Sequence, residues 1–161
     1  MLIRKIFPAP ALAGLILALA GLMAALNPNP ASAAGESPLL PSVTPEQLQK
    51  EPPLTKADID LFLEFMAISN QLSASRPNDE LVQLNREAAA KFLQDKKMSP
   101  VRFAYIGAKI PIGLLMIMNP DRQLPPKFSQ PYLIPSEAEL KLIEASRDTL
   151  VAAFPVSGPP K

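Results

Sequence analysis

The chain has 161 residues, 16 basic and 15 acidic side chains, a net charge of +1, and no cysteine, histidine or tryptophan. That balance is not the basic footprint of a nucleic-acid-binding protein. Without histidine and cysteine, Ser-His-Asp and Cys-His nucleophiles and nearly all zinc, copper and haem sites are excluded. Carboxylate chemistry, a Ser-Lys dyad or an oxygen-only calcium or magnesium site survive, but the chain has neither Ser-x-x-Lys nor a calcium-loop pattern. No cofactor is expected.

Arg4 and Lys5 open the chain with a basic n-region, and the apolar stretch Ala9–Leu26 follows. Pro28 and Pro30 stop a helix there, because proline lacks an N–H and clashes with the preceding turn. Ala31, Ser32 and Ala33 then give the small-x-small pattern of a cleavage site. The reading is a secretory signal peptide over 1–33, cut between Ala33 and Ala34. The alternative is an uncleaved anchor, since the apolar run is about long enough to span a bilayer. Loss of Arg4 and Lys5 leaves 14 basic residues against 15 acidic ones, about −1. A periplasmic location is expected, an extracellular one second, with membrane contact only in passing through the signal. An exported domain without cysteine depends on packing alone.

Residues 34–54 hold five prolines and read as an extended, flexible tether. One turn or two of helix is expected inside it. Thr44 suits the N-cap, Pro45 the first helical position, and Gln47 completes a capping box.

The domain proper is expected over 55–154. Its first helix starts at Thr55, where Thr55 and Asp58 match a helix start. Ile59, Phe62, Leu63 and Met66 form one apolar row, and Leu61, Phe65, Ile68 and Leu72 a second, so this helix packs on two neighbours. Asp58 and Asp60 lie two apart and do not face each other. A second helix runs from Asn78 to about Lys97, with Leu81, Leu84, Ala88 and Phe92 as its buried stripe, flanked by Val82, Ala89 and Leu93. Glu87 and Lys91 have the favourable four-residue spacing.

Ser99 and Pro100 start a third helix that Asn119 and Pro120 end. Phe103, Ile106, Ile110, Leu114 and Ile117 form its core stripe. The stretch from Ile110 to Met118 carries no charge. It falls well short of the roughly 20 apolar residues that a span needs. A strand over "IGLLMIM" is the competing assignment, but no other segment offers it a partner. Pro111 removes the bond to the Gly107 carbonyl, which predicts a kink near residues 107–111.

Residues 119–135 hold five more prolines and no period. They read as an irregular but ordered loop, because Phe128, Tyr132, Leu133 and Ile134 would otherwise be left in water. The last helix opens on a Ser136 and Glu139 capping box and runs to Phe154, with Leu140, Ile143, Leu150, Val151 and Phe154 on one face. Residues 155–161 are expected to form a disordered tail. The sum is an all-α fold, a small four-helix bundle with a kinked third helix.

The candidate binding residues are Arg102, Tyr105, Lys109 and Met116. Two cations and a phenol on one helical face can hold a carboxylate or phosphate. The same face continues through Ile112 and Gly113 to Met116, and methionine softens an apolar groove. The competing account pairs the cations with acids such as Asp58, Glu64 or Glu87. Together these features describe an exported helical interaction protein of the cell envelope, with a protein, peptide or amphipathic ligand as partner. The alternatives are a hydrolase using two facing carboxylates and a structural subunit tethered by an uncleaved signal.

Overall fold

A computed structural model of the chain describes residues 43–75, 78–120, 124 and 126–154. The expected signal peptide with its cleavage point at Ala33 and Ala34, the first part of the tether and the 155–161 tail lie outside the described residues. So do the side chains of Leu81 and Val82.

The described residues are all-helical, with no strand among them. The elements are α1 (Pro45–Gln49), α2 (Lys56–Ser75), α3 (Asn78–Lys96), α4 (Pro100–Met118), a 3-10 turn at Pro126–Phe128, α5 (Glu137–Ala145) and α6 (Arg147–Ala153). The strand alternative for "IGLLMIM" gives way to α4, which continues through Pro111 to Met118. The expected last helix is two. At Ser146 the amide donates to the Ile143 carbonyl three residues back, at 3.1 Å, which tightens the chain and divides α5 from α6.

Capping residues fix the helix starts. The Thr44 side chain accepts from the Gln47 amide, and the Gln47 side chain accepts from the Thr44 amide in return, at 2.8 Å. Ser136 and Glu139 repeat the exchange at α5, and the Ser99 hydroxyl accepts from the Arg102 amide at 3.0 Å at the start of α4. At the far end of α3, Lys97 has φ 52°. Its amide bonds to Gln94 O and that of Met98 to Leu93 O, the paired bonds of a Schellman close. That left-handed position favours glycine, so Lys97→Gly is expected to stabilise the fold by about 0.5–1 kcal/mol. An unchanged or lowered urea midpoint would contradict this.

Helix α4 is the centre of the domain. It packs on α5, α1 and α2. Every residue from Ala104 to Leu115 is buried, so both of its sequence faces are covered. By length and composition α4 could cross a membrane, yet most of it is buried inside the protein. Ile59 of α2, Ile110, Ile112 and Leu114 of α4, Ile143 of α5 and Leu150 of α6 are almost fully enclosed and form the main core. A second cluster joins α2, α3 and α4 through Phe65, Phe92 and Phe103. Phe103 meets the Phe65 ring edge-on at 4.9 Å, and Phe65 meets Phe92 at 5.5 Å.

The tether expected over 34–54 differs from Val43 onward. Val43, Leu48 and Leu54 are buried members of the main core, and α1 lies on α4. The loop before α5 is packed as well, with Phe128 and Leu133 buried and the Leu133 amide bonded to Gln130 O at 2.9 Å.

Candidate functional site

Helical spacing sets Arg102, Tyr105 and Lys109 one above another on α4, and the packed fold buries that face. The guanidinium of Arg102 lies 5.2 Å from the Tyr105 ring centre, and the Lys109 ammonium is also 5.2 Å from it. The phenol ring thus carries two cation contacts. Met116 is a turn or two further on, half-buried against the main core.

Arg102 uses its fork fully. Its Nη2 donates to Asp58 Oδ2 at 2.6 Å and its Nε to Asp58 Oδ1 at 3.1 Å, a bidentate pair. Nη1 reaches Glu51 at 3.4 Å and the Pro52 carbonyl at 2.5 Å, and Nη2 reaches the Pro53 carbonyl at 3.1 Å. One side chain of α4 therefore ties the proline segment to the start of α2. Asp58 has a second duty, since the Thr55 amide and hydroxyl both donate to its Oδ2 at 2.7 Å.

Glu139 is the other hub. Its Oε2 accepts from the Ser136 amide at 2.7 Å, which is the capping role its position announces. Its Oε1 accepts from Tyr105 Oη at 2.7 Å and from the Leu54 amide at 3.0 Å. Lys109 stands 3.8 Å from Oε2 and donates to the Ile134 carbonyl at 2.5 Å. The result is a continuous polar ladder from Glu51 and Asp58 through Arg102, Tyr105 and Glu139 to Lys109. Among the described residues, no buried side-chain nitrogen or oxygen lacks a hydrogen-bond partner.

Of the acids expected to answer the two cations, Asp58 does so, while Glu64 pairs with Lys96 at 2.6 Å and Glu87 accepts from Gln83 at 2.9 Å. Lys91 turns to Asp95 at 3.2 Å rather than to Glu87. The roles of Glu51, Leu54 and Glu139 in the ladder had no sequence signal beyond the capping box at Glu139. Asp60 is exposed and pairs with Lys56, so the two carboxylates of "ADID" do point apart. The described residues contain no group of three potential metal ligands.

The ladder's charge states follow from its geometry. Burial pushes the Asp58 carboxyl upward, but the bonds from Arg102 and Thr55 outweigh it and hold the group below its usual range. Burial likewise opposes ionisation of Glu139, and the donors at Ser136, Tyr105 and Leu54 override it, again lowering the pKa. Burial lowers Lys109, and the carboxylate of Glu139 offsets this only in part. The Tyr105 phenol is raised, first by burial and then by its bond to Glu139. A lowered carboxyl pKa means that the unfolded chain binds more protons in the interval between the folded and unfolded values. The stability from Asp58 and Glu139 is therefore complete above about pH 4–4.5 and falls as acid titrates the folded carboxylates. Urea midpoints are expected to drop as the pH falls below about 4–4.5, and to drop less in Glu139→Gln. Equal acid sensitivity in the two proteins would remove Glu139 from the effect.

No protein-family model, curated protein or solved structure matches the chain.

Proposed function

We propose that the chain is an exported helical interaction protein of the cell envelope, released after cleavage between Ala33 and Ala34 and acting by binding. Its longer elements, α2, α3, α4 and the α5–α6 pair, are read as a four-helix bundle. A bend of α4 near residues 107–111 fits the bond that Pro111 cannot make.

The observation that carries the binding reading is the end of α4. The helix is buried to Leu115, then surfaces with Met116, Ile117 and Met118 only partly covered. Leu124 and Tyr132 are also part-exposed hydrophobics packed on the same core. Flexible, part-exposed methionine side chains suit an apolar or amphipathic partner. Leu114 is enclosed and belongs to the core, so the open part of the surface begins at Met116. Arg102, Tyr105 and Lys109 enter this reading as the wall next to the proline segment.

A photo-crosslinking residue at Met116 in the native host tests it. A discrete adduct is expected from Met116, absent from the same probe at exposed Asp60 and lost in Met118→Glu. A Met116 probe that gives no adduct, or the same products as Asp60, counts against binding there. Mass spectrometry of the protein from cells tests export. An N-terminus at Ala34 is expected, and an intact Met1 would replace the released form with a tethered one.

A further inference from the structure

Segment 43–54 is held differently from the rest of the fold. The long helices grip one another through interlocked apolar side chains. The segment has three buried apolar anchors, Val43, Leu48 and Leu54, and one five-residue helix too short to persist alone. Its other holds are side-chain bonds from the helical body. Arg102 donates to the carbonyls of Pro52 and Pro53, and Glu139 accepts the Leu54 amide. Proline at 52 and 53 offers no N–H, so no backbone ladder can replace these bonds. The segment closes over the Arg102 and Tyr105 end of the α4 face: Arg102 binds it directly, and Tyr105 shares Glu139 Oε1 with the Leu54 amide, whereas Lys109 is held by the Ile134 carbonyl and Glu139. Residues 1–42 precede it in the chain and join the domain through it.

We infer that 43–54 is a strap that opens while the longer helices stay folded, and that its opening uncovers the Arg102 and Tyr105 end of that face. The strap is a cover built in cis, and Arg102 is its clasp. The strap's anchors join the main core, but the longer helices also hold one another directly: α2 packs on α3, α4 and α6, α4 packs on α5, and the Phe65, Phe92 and Phe103 cluster is separate from those anchors. Opening itself is independent of the binding reading, and only the use of the uncovered face rests on it.

Hydrogen exchange on the full chain tests the strap. The Leu54 amide is the reporter, because it is buried and its acceptor lies on α5, whereas amides within α1 can fray locally. In the wild type, Leu54 is expected to exchange at least about tenfold faster than the Ile110 amide of the core. Arg102→Lys keeps the charge but loses the forked grip, and should speed Leu54 about tenfold further. Phe92→Leu loosens the core away from the strap, and should speed Ile110 while leaving Leu54 unchanged. This last result separates local opening from global unfolding. Leu54 exchanging in step with Ile110 in the wild type or in Phe92→Leu, or at a rate indifferent to Arg102→Lys, overturns the strap. Should Arg102→Lys fail to fold, Glu139→Gln takes its place with the same expectations. A closed strap by this measure, with a Met116 adduct still formed in cells, would sink this inference and leave the proposed function standing.

Discussion

Glu139→Ala is expected to lower the unfolding free energy by about 3–5 kcal/mol, read from urea denaturation near neutral pH, because it leaves a buried cation without its counter-charge. The loss exceeds that of an ordinary surface acid for a countable reason. The substitution strands the buried Leu54 amide and Tyr105 hydroxyl together, removes the capping bond from the exposed Ser136, and removes the carboxylate facing Lys109. Each stranded buried donor costs about 1–3 kcal/mol where water cannot reach it. Relaxation of the strap lets some of them find solvent, so the sum is not reached.

The two partners of the Lys109–Glu139 pair should not be equivalent. At 3.8 Å the ammonium contact is long, and Glu139 keeps three closer donors without it. Lys109→Met is therefore expected to cost only about 1 kcal/mol or to be neutral, because a buried cation is exchanged for an apolar chain of similar length. In Glu139→Ala the same Lys109→Met should recover part of the loss, since it removes the uncompensated charge but leaves the Leu54 amide and Tyr105 hydroxyl without their acceptor. A double-mutant cycle measures this coupling. Additive losses would show that Lys109 is satisfied by the Ile134 carbonyl alone.

The ladder also marks where sequence reading reaches its limit. The caps at Thr44, Ser99 and Ser136 were legible because donor and acceptor lie three residues apart and the pairing is local. Half of Glu139 was legible for that reason. Oε2 serves the cap, while Oε1 serves Leu54, 85 positions away, and Tyr105, 34 away. No local pattern encodes those partners. The strap was obscured in the same way. Its prolines carry the composition of a tether, and Val43, Leu48 and Leu54 have no shared period, so only the distant Arg102 and Glu139 reveal that it is held. The stripe of α4 was legible in its members Ile106, Ile110 and Leu114, all nearly enclosed. What the period did not disclose is that the opposite face, from Tyr105 to Gly113, is buried too. A cation at 109 reads as solvent-facing until an acid on another helix is placed beside it. The all-helical class was plain throughout, because it rests on caps and spacing rather than on partners.

Gly113 supplies the second large effect, and its sign runs against helix propensity. In an exposed helix interior, Gly→Ala gains about 1 kcal/mol. Here a Cβ on residue 113 would collide with Ile143 Cδ1, and would lie 3.2 Å from Pro135 Cγ and 3.5 Å from Leu140 Cδ2. Glycine thus allows α4 to approach α5 closely. Ile143 is fully enclosed, so its terminal methyl has little room to swing away, and the Pro135 ring is stiff. Overpacking of this kind costs about 1–3 kcal/mol, which meets or exceeds the propensity gain for alanine and clearly exceeds any gain for a larger side chain. Gly113→Ala is expected to be destabilised by up to about 1–2 kcal/mol, and Gly113→Val by about 3 kcal/mol, with lowered urea midpoints. The compensating change is specific. Ile143→Val deletes the colliding Cδ1 methyl. On its own it should cost about 0.5–1.5 kcal/mol by leaving a small void. In the Gly113→Ala background the void is filled by the new methyl, so the same substitution should be neutral or stabilising. A loss from Ile143→Val that is equal in both backgrounds would mean that α4 and α5 separate to admit the methyl. The close approach at Gly113 would then be a convenience of packing and not a constraint.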